Sequence, residues 1–179
     1  MASIKNIAIT DFEFTGLDPT RHEVIEIGLI VIDSETLLEK NRFDVKVAPD
    51  HIENAMPESI AVAGYKKEDW LSALSLHKAL TQYIEAAQNS IFAAWCTPYD
   101  WIFLLEAFKK TNIKNPFDYR TIDLFTVAYE KLRNNPNVTH MGLATLCQYF
   151  GIPKEPMPHR AINGAQSAFE LYKKLRELE

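Results

Sequence analysis

Residues 4–19 read IKNIAITDFEFTGLDP and residues 23–33 read EVIEIGLIVID, and these two segments predict the start of a β-sheet. The run before Asp11 favours a short strand over residues 4–10. Residues 23–33 are β-branched and largely apolar, as in a strand buried on both faces. A third segment, FDVKV at residues 43–47, alternates like a half-exposed strand. Three strands with short connections predict an antiparallel meander.

Beyond residue 50 the hydrophobic period changes from that of strands to that of helices. Apolar residues at helical spacing predict a helix over residues 68–87, and SIFAAW at residues 90–95 predicts another strand. The further predicted elements are a helix from Thr97, a short strand near residues 117–122, and helices over residues 123–133, before Gly151 and from near Arg160 onwards. This order predicts one α/β domain over residues 1–179, with a mixed sheet of three antiparallel strands followed by parallel strands.

Composition argues against several classes of protein. The chain has 179 residues, of which 47% are apolar, and its formal net charge of -5 argues against a broad basic surface for coating duplex DNA. Two cysteines, Cys96 and Cys147, are too few for a disulfide framework and favour a reducing, cytoplasmic compartment. The first residues lack the charged-then-apolar pattern of a secretion signal, and no apolar run approaches the roughly 20 residues of a membrane span. No membrane association is therefore expected.

Asp11 and Glu13 are the first candidates for chemistry. Residues i and i+2 of an extended segment point to the same face, so these two carboxylates repel each other unless a cation lies between them. The pair therefore suits a divalent ion such as Mg²⁺ or Mn²⁺. A bare D-x-E pattern is usually two solvated acids at the end of a strand, but this one lies within DFEFTGLDP and is followed by HEVIEIG.

Asp100 and His159 are two further candidates, and each has a structural alternative. Asp100 follows a predicted strand, at the carboxyl edge of the sheet where α/β proteins build their sites. It suits equally well a capping box with Thr97 at the start of a helix. His159 precedes the last predicted helix, where a histidine is most often a surface or capping residue. The ordinary pKa of histidine, about 6.5, also suits a general base that activates water.

Together these segments resemble the DEDD superfamily of 3′→5′ exonucleases, in the DnaQ-like subtype that uses His in its third motif. This superfamily includes the proofreading subunit of bacterial DNA polymerase III, RNase T and oligoribonuclease. DFEFTGLDP with EVIEIG resembles its first motif, YDWIFL the second and HRAxxxA the third, while ATLCQYFGIP resembles the helix and turn before the third. The resemblance extends from about residue 5 to residue 176 and implies a ribonuclease H-like fold.

The resemblance also implies roles for the candidate residues in two-metal hydrolysis of a phosphodiester at a 3′ end, with Mg²⁺ or Mn²⁺ as cofactor. By this resemblance Asp11 bridges both ions and Glu13 binds one of them. Asp100 acts as a ligand directly or through water. His159 takes the proton from the attacking water.

Nucleic-acid contacts are implied in the same way. The segment expected to line the terminal nucleotide, with backbone N–H groups near its 3′-OH and the last side chain against the base, is Phe14, Thr15, Gly16 and Leu17. Arg160, beside the histidine, is a candidate phosphate contact. The expected partner is the 3′ end of a single strand, with DNA and RNA both open. Relatives act as homodimers or as subunits of a polymerase, and the motifs do not choose between these and a monomer.

Gly164 is where this chain departs from the family pattern. The fourth acid of the family lies five residues after the histidine, and that position is Gly164 here. Asn163 would point about 100° around the helix, and Glu170 lies almost two turns further along. Losing even a residue that only supports a metal ligand commonly costs about 10–100-fold in metal affinity or activity. Two hypotheses follow: an exonuclease impaired by this loss, or a catalytically degenerate module that binds nucleic acid or a partner protein.

Overall fold

The computed structural model describes residues 6–178, and a five-stranded sheet lies at the centre of this part of the chain. The strands are β1 (Asn6–Phe14), β2 (Val24–Asp33), β3 (Glu39–Lys46), β4 (Ser90–Ala94) and β5 (Ile122–Asp123). Their order across the sheet is β3-β2-β1-β4-β5. The first three strands are antiparallel, and β4 and β5 run parallel to β1. The predicted mixed sheet is therefore confirmed.

Helices cover both faces of this sheet. They are α1 (Pro57–Ala63), α2 (Leu76–Ala86), α3 (Thr97–Thr111), α4 (Leu124–Leu132), α5 (Leu143–Tyr149) and α6 (Ala161–Glu177). One core lies between the sheet and α2 and α3 and includes Phe12, Tyr83 and Phe92. A second core lies under α6 and includes Ile9 and Phe169. Over residues 6–178, no helix combines the length and the apolar character needed to cross a membrane.

The largest difference from the predicted elements lies between residues 68 and 75. The helix predicted over residues 68–87 begins only at Leu76, after a 3-10 turn at Lys67–Trp70. In between, Leu74 pairs with Val47 at the end of the meander. Backbone pairing with a distant segment thus displaces the first two helical turns. The short helix α1 was not predicted at all.

Gly28 in β2 determines how closely α6 approaches the sheet. A Cβ on this residue would collide with the backbone of Ala161, the first residue of α6. Gly28 pairs with Asp11 across the β1–β2 ladder. The start of α6 is therefore pressed against the sheet beside the acid-bearing end of β1, and His159 lies just before it.

Candidate active site

Asp11 and Glu13 lie near the end of β1, on the face that carries Ile7 and Ile9 under α6. The two-residue period of a strand explains this placement, because alternate side chains share a face. The ladder with β2 is regular up to Glu13 and shifts register between Glu13 and Phe14. Such irregularities are frequent next to active sites, where they redirect side chains.

Asp100 reaches the same region from the first turn of α3 and is only 5% exposed. The capping box predicted for Asp100 and Thr97 is wrong. Helix α3 begins at Thr97 itself, after Cys96 turns the chain sharply with φ of 58°. The hydroxyl of Thr97 lies 2.9 Å from the carbonyl oxygen of Ile122 in β5, so it ties the helix to the sheet and does not cap it.

The charges of the three acids interact, and burial raises the pKa values of all three. Burial, followed by the charges of Asp100 and Glu13, holds the pKa of Asp11 well above its ordinary value. Burial also raises the pKa of Asp100, against two backbone N–H groups that lower it. The pKa of Glu13 rises to about 7, mainly through burial and neighbouring acids, with Arg160 opposing the rise. Negative charge therefore exceeds positive charge at this end of β1.

This donor set fits a hard divalent cation. Carboxylate oxygens are the ligands that Mg²⁺ and Mn²⁺ prefer, and a cation would relieve the repulsion that raises the pKa values of Asp11, Glu13 and Asp100. Within residues 6–178, however, no three His, Cys, Asp or Glu side chains form a finished metal-binding group. The chemistry of the residues suits a metal, although the three side chains alone do not form a complete set of ligands.

Gly164 on α6 faces Asp11 directly. A Cβ on residue 164 would lie 2.8 Å from Cγ of Asp11 and closer still to one of its oxygens. The Asp11 carboxylate thus takes up the volume where a side chain at position 164 would begin. The helical position at which the resemblance expects a fourth acid does face Asp11, but no side chain fits there unless the Asp11 carboxylate moves.

A cavity of about 290 Å³ opens beside these residues. Its lining includes Asp11, Glu13, His159 and Gly164, so three of the four predicted catalytic residues meet there. Asp100 does not line this cavity. Its negative charge nevertheless raises the pKa of Asp11.

His159 is held at its backbone and at its ring. Its N–H donates to the carbonyl of Val62 in α1 at 3.0 Å. Its Nδ1 lies 3.3 Å from Oε2 of Glu155, and its side chain is 41% exposed. Glu155 also lines the cavity, and sequence reasoning missed it. The available signal was an acid four residues before the histidine, in KEPMPH.

The segment after β1 is only partly open to a ligand. Phe14 stacks on Phe103 with ring centroids 3.9 Å apart. Thr15 is fully buried, and its N–H donates to the carbonyl of Glu23 at 2.9 Å, so this N–H already has a partner. Leu17, by contrast, is 63% exposed.

Gly16 lies beneath the ring of His22. A Cβ on Gly16 would approach Cγ of His22 to 2.6 Å, so the close packing requires glycine. Nδ1 of His22 accepts the N–H of Asp18 at 2.8 Å. This contact fixes the turn that carries Leu17.

Arg160 has a structural partner that the sequence did not reveal. Its Nη1 lies 2.7 Å from Oε1 of Glu26, which is only 2% exposed, and Oε2 of Glu26 accepts the N–H of Ala161 at 3.3 Å. The carboxylate thus fixes the start of α6. The signal for it was the acid inside the apolar run EVIEIG. Because 28% of the Arg160 side chain is exposed, a ligand could still reach it. A phosphate contact by Arg160 therefore stays a prediction.

Comparison with known proteins identifies the family of this chain. The model of the RNase_T exonuclease family matches residues 8–172. Protein NEN2 of Arabidopsis thaliana is 26% identical over 153 residues, covering 85% of this chain and 31% of that protein. The PolC-type DNA polymerase III of Caldanaerobacter subterraneus subsp. tengcongensis is 25% identical over 174 residues, covering 94% of this chain and 11% of that protein. The chain thus spans less than a third of these two relatives.

Solved structures of nucleases share the fold. The nuclease domain of 3′hExo, a DEDDh family member bound to rAMP, superimposes with a TM-score of 0.79 at 18% identity, covering 99% of this chain and 96% of that one. E. coli exonuclease I in complex with a dT13 oligonucleotide superimposes with a TM-score of 0.81 at 14% identity, covering 97% and 41%. The ribonuclease H-like α/β fold is therefore confirmed. With the family match over residues 8–172, the chain belongs to the RNase_T exonuclease family.

Proposed function

We propose that this chain is a metal-dependent 3′→5′ exonuclease that hydrolyses phosphodiester bonds at the 3′ end of single-stranded DNA or RNA. One observation carries the proposal. Asp11, Glu13 and Asp100 crowd at one end of β1 with raised pKa values, and His159 lies on the cavity beside them. Family membership supports the same chemistry. Residues 1–179 would form a single exonuclease domain, which occurs in the relatives as part of a longer chain.

Asp11, Glu13 and Asp100 are the residues that would hold Mg²⁺ or Mn²⁺. When bound, such ions supply Lewis acidity that activates water and stabilises the leaving oxygen. Carboxyl groups must lose their protons to act as ligands, so binding is expected to release protons from these residues. The pKa of Glu13, about 7, makes the binding dependent on pH around neutrality.

His159 is the proposed general base. The residue lines the cavity that also contains Asp11 and Glu13, so a water beside a phosphate bound there would lie within reach of its ring. A positioned base of this kind contributes about 10²–10⁴-fold to rate. Leu17 would pack against the terminal base, and the stacked rings of Phe14 and Phe103 would support the segment that carries it.

Substrate and partners are proposed from the relatives. Exonuclease I of E. coli has been solved with a single-stranded dT13, and the 3′hExo nuclease domain with a ribonucleotide, so both DNA and RNA ends are candidate substrates. The PolC-type relatives are polymerases, which makes association with a polymerase one candidate. A homodimer is the other.

A non-catalytic binding module is the second candidate function. Gly164 favours it, because position 164 offers no carboxylate and Asp11 takes up the space there. Such a module would bind single strands through Leu17 and the cavity without cleaving them.

A degradation assay separates the two functions. Single-stranded DNA and RNA labelled at the 5′ end are incubated with the protein and Mg²⁺ or Mn²⁺, and with EDTA as the metal-free reaction. An exonuclease gives a ladder that shortens from the 3′ end, and Asp11→Asn abolishes it. The matched control is Asp50→Asn, which alters an exposed aspartate in the loop after β3. Strand binding without shortening under every condition would exclude the exonuclease and support the binding module.

A further inference from the structure

Glu155 lies in the loop between α5 and α6, and both of its carboxylate oxygens face the start of α6. Oε2 lies 3.3 Å from Nδ1 of His159, and Oε1 accepts the N–H of Arg160 at 3.3 Å. The Glu155 side chain is only 16% exposed, so this carboxylate lies against the protein and not in solvent. Among described residues, its contacts therefore join the loop to the backbone of Arg160 and to the ring of His159, the proposed base.

The Glu155–His159 pair belongs to the cavity and not to the outer surface. Both residues line it together with Asp11 and Glu13. The negative charge of Glu155 also contributes to the raised pKa values of Asp11 and Glu13. Since Gly164 offers no acid from α6, Glu155 brings a carboxylate to the same cavity from the preceding loop.

The chemistry of imidazole gives this contact a consequence. A neutral imidazole carries one N–H, and the other nitrogen has the lone pair that can accept a proton. A carboxylate offers only lone pairs, so its charge 3.3 Å from Nδ1 favours the form of His159 with the proton on that nitrogen. The lone pair is then on Nε2, the nitrogen on the far side of the ring from Glu155.

We propose that Glu155 is a positioning residue for His159. It holds the ring through Nδ1 and keeps Nε2 available to take the proton from the attacking water. Glu155 itself neither gains nor loses a proton in this step. The inference rests on the proposed exonuclease function for its kinetic consequence, whereas the tautomer and the ring orientation are properties of the protein alone.

The test compares wild type with Glu155→Ala, Glu155→Gln and the control Glu53→Ala. Glu53 is a matched control because it makes a similar contact, 3.2 Å from Nδ1 of His51, with both side chains about two-thirds exposed and outside the cavity. The position of the proton on His159 is read from ¹⁵N chemical shifts and couplings at a pH where the ring is neutral, without metal or nucleic acid. The kinetic constants kcat and KM are measured on a single-stranded oligonucleotide.

Wild type is expected to carry the proton on Nδ1 of His159, and Glu155→Ala to shift it towards Nε2. In Glu155→Ala, kcat should fall about 10–100-fold, within the contribution of a positioned base, while KM stays within about twofold. Glu53→Ala should change neither quantity. Glu155→Gln keeps the size of the side chain and one oxygen, so it should fold even if Glu155→Ala does not, and should give an intermediate kcat.

The positioning role is overturned if the foldable Glu155 variants keep the wild-type tautomer, or if they keep the wild-type kcat. An effect on KM alone would also contradict it, because that would indicate substrate binding. If wild type itself degrades no strand, the proposed exonuclease function fails. The tautomer measurement then still decides whether Glu155 orients His159.

Discussion

Replacing Glu13 by Gln should stabilise the protein in the absence of metal at alkaline pH. The carboxyl of Glu13 ionises near pH 4.5 in the unfolded chain and near pH 7 in the folded protein, chiefly because it is buried. A carboxyl with a raised pKa adds stability that is complete below pH 4.5 and is lost as the pH rises through 7. Above pH 7 the charged Glu13 therefore destabilises the fold.

The size of this effect follows from the two pKa values. A rise from 4.5 to about 7, at about 1.4 kcal/mol per pKa unit, corresponds to about 3 kcal/mol. Water reaches part of the side chain and screens it, so we expect Glu13→Gln to raise the free energy of unfolding by about 1–3 kcal/mol at pH 8. Near pH 4.5 the two proteins should be equally stable. Adding Mn²⁺ should stabilise wild type more than the variant, because a ligand carboxylate is missing in the variant.

Urea unfolding in EDTA at pH 5 and pH 8 measures the difference. The control is Glu53→Gln, whose exposed carboxyl has a lowered pKa and so should not stabilise the protein at pH 8. A gain of the same size at both pH values would refute the reasoning, since the effect must come from ionisation. No gain at pH 8 would show that Glu13 carries no burial penalty.

Three further variants test the contacts around the site. Gly164→Asp should raise the affinity for Mn²⁺ by at least about 10-fold in calorimetric titration, and should lower stability in EDTA because Asp11 must move. Unchanged affinity would show that a carboxylate at position 164 does not reach the metal. Gly28→Ala should lower the free energy of unfolding by about 1–3 kcal/mol, because its Cβ meets the backbone of Ala161. Wild-type stability in urea would contradict that close approach. Leu17→Ala should change stability by less than about 0.5 kcal/mol, because the side chain is 63% exposed, but should raise KM for single strands. An unchanged KM would remove Leu17 from the substrate site.

Much of the fold was predictable because it depends on local periodicity. The two-residue period of β1 places Asp11 and Glu13 on one face, and the apolar run of β2 identifies a strand buried on both sides. The first part of the helix predicted over residues 68–87 is wrong for the opposite reason. There, pairing between Leu74 and Val47 overrode a pattern that looks helical when the segment is considered alone.

The sequence alone determined which chemical groups are present and that the family's fourth acid is missing at Gly164. Only the tertiary structure showed that Asp11 takes up the space at Gly164 and that Glu155 approaches His159. The type of each side chain can be read from the sequence. These contacts, however, depend on how closely α6 and the loop before it pack against β1 and β2. That approach is decided by packing at Gly28, between residues more than a hundred positions apart, and no local pattern records it.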